Sequence, residues 1–255
     1  MKCLVYVDPS SRGEWALRLA GLLAPGLSGV TLLATEEDAA ADPGLLSRAR
    51  GAVDGVALVE ERRAPGPAER AILKEAARGS FDLVIVPPAG RGALSRMLKG
   101  SRVASVVKSV GTSVLVARRP PARLHRILAA VSGGGATAAV VTGALQMEQA
   151  LGASACFLHV ASEVALPYEP ARPAAAAAAP ADETTRARQA LASAGRDLVV
   201  REGLVVEEIL AELEQGAHDL LVAGASASES GWGREDVTER VLLRCPTSML
   251  IVRTA

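Results

Sequence analysis

The chain has 255 residues, 49% of them hydrophobic, and its 28 Lys and Arg balance 28 Asp and Glu. That length holds one large domain or two ordinary ones with ample apolar residues for a core, and the charge balance excludes bulk attraction to nucleic acid or an acidic membrane. No stretch approaches the ~18 uninterrupted apolar residues of a membrane span, and the N-terminus MKCLVYVDPS lacks a secretory signal, so a soluble, cytoplasmic protein is expected.

In chain order, KCLVYV (Lys2 to Val7) reads as a short apolar strand. Asp8-Pro9-Ser10-Ser11 is a turn with N-cap chemistry that opens an amphipathic helix through Trp15, Leu19 and Leu23. Pro25-Gly26 ends that helix, GVTLLA (Gly29 to Ala34) is a second strand, and Glu36 to Asp38 leads into a helical segment around Leu45 to Val53. Gly55 to Val59 reads as a third strand and Pro67 to Arg78 as a helix with Pro in its first turn. Four β-type residues, Leu83 to Val86, follow Asp82 and run into a turn; a helix after Gly92 and a fifth strand, Ser113 to Ala117, complete the series. Strands alternating with helices at this spacing imply a parallel, doubly wound sheet, with ligands held beyond the C-terminal strand ends, where Asp8, Thr35 and the turn from Pro87 to Gly90 converge.

Arg118-Arg119-Pro120-Pro121 is a stiff linker, after which the cycle repeats. The second series comprises strands at Arg126 to Val131, Ala155 to Val160, Asp197 to Val200, Asp219 to Ala223 and Ser248 to Val252. Its helices are Ala138 to Leu151, one around Val205 to Leu213, and Val237 to Leu243. DLVIV matches DLLVA, and TSVLVAR (Thr112 to Arg118) matches TSMLIVR (Thr247 to Arg253), so one fold is repeated, with domains expected at 1–119 and 120–255. Between them the charge is unevenly placed. Leu83 to Met147 contains no Asp or Glu, whereas Glu202 to Glu239 holds ten acidic residues against one Arg. Pro167 to Pro180 is a Pro- and Ala-rich segment, read as a surface loop.

With VYVD ending the first strand, LHV in the second repeat, DLVIV, and glycines at 90 and 100 followed by Ser101, the sequence resembles the universal stress protein family in its tandem form. The resemblance implies an α/β fold of two Rossmann-like domains of the adenine nucleotide alpha hydrolase-like type, each a five-stranded parallel sheet with helices on both faces. It also implies an adenine nucleotide, ATP with Mg²⁺, as an exchangeable ligand rather than a tightly required cofactor. Carried over residue by residue, Gly90, Gly100 and Ser101 match the family's phosphate loop, Asp8 with its neighbour Pro9 matches the acidic turn near the nucleotide, and Thr35 falls where the backbone meets adenine. Arg91 stands inside the same loop.

Pro87, followed by Pro88, replaces the first glycine of the motif, which removes N–H donors, each worth about 1.5–3 kcal/mol when it meets a charged group. Arg91, Arg96 and Lys99 compensate electrostatically. In the second half Ser132 replaces the acidic residue, and Gly224 to Asp236 keeps the first glycine but places Glu235 and Asp236 at the glycine-hydroxyl pair. That half is expected not to hold a nucleotide in the family's manner. Ser132 to Thr137 (SGGGAT) also resembles the pyrophosphate loop of ATP pyrophosphatases, with Ala136 in place of its Asp; the plainer reading is a tight turn.

Other chemistries have little support. Ser226 lacks the second glycine of a nucleophile elbow and has no His after it, and His125, His159 and His218 have no ligand-like partner at helical spacing. Cys3, Cys156 and Cys245 are far apart without a CxxC and read as small buried residues. The function that the resemblance implies is that of a non-enzymatic, stress-response regulator binding an adenine nucleotide in its first half. The alternative is an interaction scaffold with both sites decayed. The resemblance further implies that Ser113 to Ala117 and Ser248 to Val252 pair to make an intrachain pseudo-dimer, and it leaves a homodimer open.

Overall fold

The structure is a computed structural model that describes residues 1–88, 109–161, 180–225 and 237–253. The chain forms two compact units, Met1–Leu124 with Pro246–Ile251, and His125–Cys245 with Val252–Ala255.

In the first unit, β1 (Lys2–Tyr6), β2 (Gly29–Thr35), β3 (Val59–Ala64), β4 (Leu83–Val86) and β5 (Ser113–Val116) lie in the order β3-β2-β1-β4-β5, all parallel. The inner strands are largely apolar because both faces are covered: every residue of β2 and β4 is buried, Thr31 and Thr35 included. Helices α1 (Gly13–Leu23), α2 (Glu36–Ala41), α3 (Leu45–Ala52) and α4 (Ala68–Arg78) connect them. Helix α1 buries Ala16, Leu19, Ala20 and Leu23, the spacing of one helical face. The third strand begins where the sequence reading ended it. Gly55 sits at φ +89 in a turn, and the strand is the charged VEERRA. As an edge strand with no buried residue it needs no apolar run, and its charges discourage pairing with another chain.

The other side of β5 is occupied by the chain's last strand, β10 (Ser248–Val252), which runs antiparallel to it with Met249 opposite Val116 and Ile251 opposite Val114. Ser248 ties the pair twice: its Oγ accepts from the Arg118 N–H at 2.9 Å, and its hydroxyl donates to the Arg118 carbonyl at 3.2 Å. All five β10 side chains are buried, as are Val114, Leu115 and Val116.

In the second unit, β6 (Arg126–Ala130), β7 (Ser154–Ala161), β8 (Leu198–Glu202) and β9 (Leu220–Gly224) are parallel in the order β9-β6-β7-β8. Their helices are α5 (Thr137–Leu151), α6 (Pro180–Ala192), α7 (Val205–Gln215) and α8 (Val237–Arg244). Ile127, Leu128, Phe157 and Leu221 are at most 2% exposed and form the centre of this core.

The repeated Asp of DLVIV and DLLVA has one task in both units. Asp82 Oδ2 accepts the Lys2 N–H at 2.7 Å while the Asp82 N–H donates to the Lys2 carbonyl at 2.9 Å. Asp219 Oδ2 accepts from the N–H groups of His125 at 2.7 Å and Arg126 at 3.1 Å, and its own N–H donates to the Arg126 carbonyl at 2.8 Å. Each Asp thus holds the start of the first strand of its unit against the start of the fourth, and so fixes the register that carries their far ends side by side.

A second buried device lies at the other end of the first sheet. The Tyr6 hydroxyl and the Thr35 hydroxyl both donate to Asp38 Oδ2, each at 2.6 Å, while the Asp38 N–H donates to Thr35 Oγ1 at 3.0 Å. Tyr6, Thr35 and Asp38 are at most 7% exposed, and burial pushes the Tyr6 phenol well above its ordinary range. Tyr6→Phe removes one of the bonds to Asp38 and is expected to cost about 1.5–3 kcal/mol, read as a lowered urea midpoint at unchanged slope; a loss under about 0.5 kcal/mol would contradict the bond's role.

Candidate functional site

The parallel order of the first unit reverses between β1 and β4, and the crevice beyond the C-terminal ends of such a pair is where doubly wound sheets hold ligands. Asp8 follows β1, Thr35 ends β2, and Pro87 and Pro88 follow β4. Asp8 is half-buried and Pro9 exposed. One Asp8 oxygen, Oδ1, accepts from the Ser10 N–H at 2.9 Å and from the Ser10 hydroxyl; Oδ2 has no hydrogen bond among the described residues. Ser10 in turn caps the first turn of α1, its Oγ accepting from the Gly13 N–H at 3.2 Å and its carbonyl from the same N–H at 2.9 Å.

Gly13 is fixed by this arrangement, since a Cβ there would come 2.2 Å from the Asp8 carbonyl oxygen. The helix N-terminus is therefore drawn against the acidic turn more closely than any other residue permits. Thr35 is the N-cap of α2, whose first turn carries Glu36, Glu37 and Asp38, a favourable placement of carboxyls at a helix N-terminus. Its side chain is spent on Asp38. Asp38 and Tyr6, which brace this end of β2, were not among the residues read from sequence. The pattern Thr-Glu-Glu-Asp, a hydroxyl followed three residues on by a carboxyl, is the signal that marks Asp38; Tyr6 has no local signal of its own.

Pro87 and Pro88 are buried, and neither has an N–H to offer. Gly90, Arg91, Gly100 and Ser101, the remaining residues expected at the site, lie outside the described residues, as do the rest of the phosphate-loop motif and the segment from Pro167 to Ala179.

The same edge of the second unit is filled by protein. Gly224, which keeps the motif's first glycine, packs so closely on α5 that a Cβ would meet the Ala136 Cβ at 2.6 Å. Its carbonyl accepts from the Thr238 hydroxyl at 2.8 Å. The glycine-rich turn is likewise engaged. Gly133 adopts φ +74 against the backbone of Glu183 in α6, where a Cβ would lie 2.1 Å from the Glu183 carbonyl, and the Arg186 Nε–H donates to the Gly133 carbonyl at 2.8 Å. The Gly134 N–H donates to Ser132 Oγ at 3.2 Å, so the turn's donor faces its own chain. These glycines serve close packing.

The strand order of the two units defines a Rossmann-like α/β protein of the adenine nucleotide alpha hydrolase-like type. The sequence model of the universal stress protein family matches residues 1–118 and again 123–253, so the chain belongs to that family and carries two of its domains in tandem. Solved structures share the fold. A protein of unknown function from Pseudomonas aeruginosa is 19% identical, with 99% of this chain and 92% of that one covered at a TM-score of 0.75. A universal stress protein from Archaeoglobus fulgidus is 14% identical, with 100% and 98% covered at a TM-score of 0.72. Among curated proteins none matches the chain. Among the described residues no helix is long and apolar enough to cross a membrane.

Burial pushes the Asp8 carboxyl above its ordinary value of 3.8, outweighing the Ser10 bonds that favour the charged form. The folded protein then holds this proton more tightly than the unfolded chain, so stability falls as pH rises through and above 3.8. Asp8→Asn, which keeps an acceptor for Ser10, is expected to raise Tm at pH 7 and to give a smaller gain near pH 4. An equal gain at both pH values, or a loss at pH 7, would contradict this.

Proposed function

We propose that the chain is a stress-response regulator whose first unit binds an adenine nucleotide, ATP with Mg²⁺, while its second unit binds none in that manner. The observation that carries this reading is Asp8: a half-buried carboxyl with one oxygen held by Ser10 and the other uncommitted among the described residues, at the strand reversal between β1 and β4. Keeping such a carboxyl in place costs stability, and sites that bind ligands are where that cost recurs. Asp8 meets the magnesium or ribose side of the nucleotide, the backbone at Thr35 meets adenine, and Gly90, Gly100 and Ser101, with Arg91 beside them, take the phosphates. The second unit differs in each respect, with Ser132 for the carboxyl and Gly224 closed over by Ala136. The protein acts in the cytoplasm by nucleotide-dependent assembly or conformation rather than by turnover.

Thermal shift with Mg·ATP tests the reading. A ligand at a hundred times its Kd stabilises by about 2.7 kcal/mol, and Gly100→Arg is expected to abolish the shift. Pro87→Gly, which restores an N–H and clears the ring, is expected to tighten binding several-fold if it folds as the parent does. No shift at millimolar ATP, with or without magnesium, in both the parent and Pro87→Gly would reject nucleotide binding and favour an interaction scaffold.

A further inference from the structure

The second unit brings together three groups that are far apart in sequence and lie at the edge of its sheet opposite to the nucleotide edge. Cys156 is the third residue of β7, Glu212 is in the penultimate turn of α7, and His218 lies in the short connection from α7 to β9. Cys156 Sγ, a Glu212 carboxylate oxygen and a His218 ring nitrogen all lie within 4.8 Å of one another. Cys156 and Glu212 are half-buried and face one another from sheet and helix, and the His218 side chain is 1% exposed.

The histidine is poorly satisfied for so buried a group. Its Nδ1 has no hydrogen bond among the described residues, and Nε2 stands 3.4 Å from Glu212 Oε1, beyond the ordinary N–H···O range of about 2.7–3.2 Å. Donors that share a tetrahedral zinc ion, with bonds of about 2.0–2.3 Å, lie about 3.4–3.6 Å apart. The His–Glu separation is that of two ligands of one ion. Gly216 is part of the construction, because a Cβ there would meet His218 Nε2 at 2.3 Å. The ring is thus set down on the backbone at the end of α7.

Arg201 on β8 pairs with Glu212 Oε2 and stands 3.7 Å from Glu208 Oε2, so Glu212 is oriented by one oxygen and presents the other to His218. Such outer-sphere support is usual around a ligating carboxylate.

We propose that Cys156, Glu212 and His218 hold one divalent cation of the zinc class. A thiolate, an imidazole and a carboxylate suit Zn²⁺ and disfavour the all-oxygen shells of Mg²⁺ and Ca²⁺. Burial lowers the His218 pKa, which favours the neutral ring that ligates, and raises that of the Cys156 thiol, which binds as thiolate. On binding, the S–H bond breaks, sulfur keeps the electron pair and donates it to the ion, and the proton passes to solvent. Thiolate and carboxylate together neutralise the two positive charges, which matters beside Arg201 and Arg126. With three protein ligands the fourth position is open to water, and the bound ion ties α7 to the strand beneath it.

The chelator-treated full chain is titrated with Zn²⁺ against a chromophoric competitor, and with Co²⁺ read by absorbance. One ion per chain, a thiolate-to-cobalt charge-transfer band and a rise in Tm are expected. Cys156→Ser and Glu212→Gln should each weaken binding on the order of tenfold or more. Replacing Cys3 or Cys245, both buried elsewhere, should leave it unchanged. Alkylation of Cys156, located by mass spectrometry, should slow in the presence of Zn²⁺; this readout decides the matter if Cys156→Ser does not fold. Full Zn²⁺ affinity in Cys156→Ser, the absence of the charge-transfer band, or an unchanged alkylation rate overturns the proposal.

Discussion

A carboxylate at the entrance of the fourth strand holds each unit in register. Asp82 grips the backbone of Lys2, and Asp219 grips that of His125 and Arg126, before either strand pair has begun its ladder. A parallel pair has no tight turn to set its alignment, so the alignment must come from elsewhere. Because β1 and β4 start level they also end level, and the register that sets Val5 opposite Ile85 carries on to Asp8 and Pro88 at the reversal in strand order. The crevice at one end of the sheet is therefore a consequence of two hydrogen bonds at the other.

From this shared frame the two units spend their C-terminal edges differently. In the first, Ser10 and Gly13 draw a helix N-terminus over a carboxyl that burial disfavours, a configuration with a cost to stability. In the second, the equivalent turn is closed by α6 through Arg186, and Gly224 is used to bring α5 onto the sheet. A retained glycine is ambiguous for this reason. The residue that lets a phosphate approach a backbone also lets a methyl group do so, and only the neighbour, here Ala136, tells the two uses apart.

Much of this was legible in the sequence because it is local. The apolar runs of β1, β2, β4 and β5 and the repeated Asp-Leu motif each occupy a handful of consecutive residues, and the structure returns them within a residue or two. The third strand was displaced because VEERRA has no apolar signature: an edge strand is held by its ladder to β2, and its side chains face water. Asp8 and Thr35 could be placed at the ends of their strands by counting. Tyr6 and Asp38 could not be paired by counting, since they are 32 residues apart and meet only because β1 and β2 are neighbours. The same holds for Cys156, Glu212 and His218. Searching for ligands at helical spacing passes over them, because their common ground is created by the sheet.

The Ser248–Arg118 tie joins residues 130 positions apart, and it introduces a delay. At about 5–20 residues per second, the interval between the synthesis of β5 and the arrival of its antiparallel neighbour is about 7–26 s. Throughout that time the inner edge of the first sheet is a row of bare amides and carbonyls flanked by Val114, Leu115 and Val116. The first unit is thus the earlier to be made and among the last to be finished. How long it stays exposed to nascent-chain pairing or chaperone capture is set by the length of the second unit.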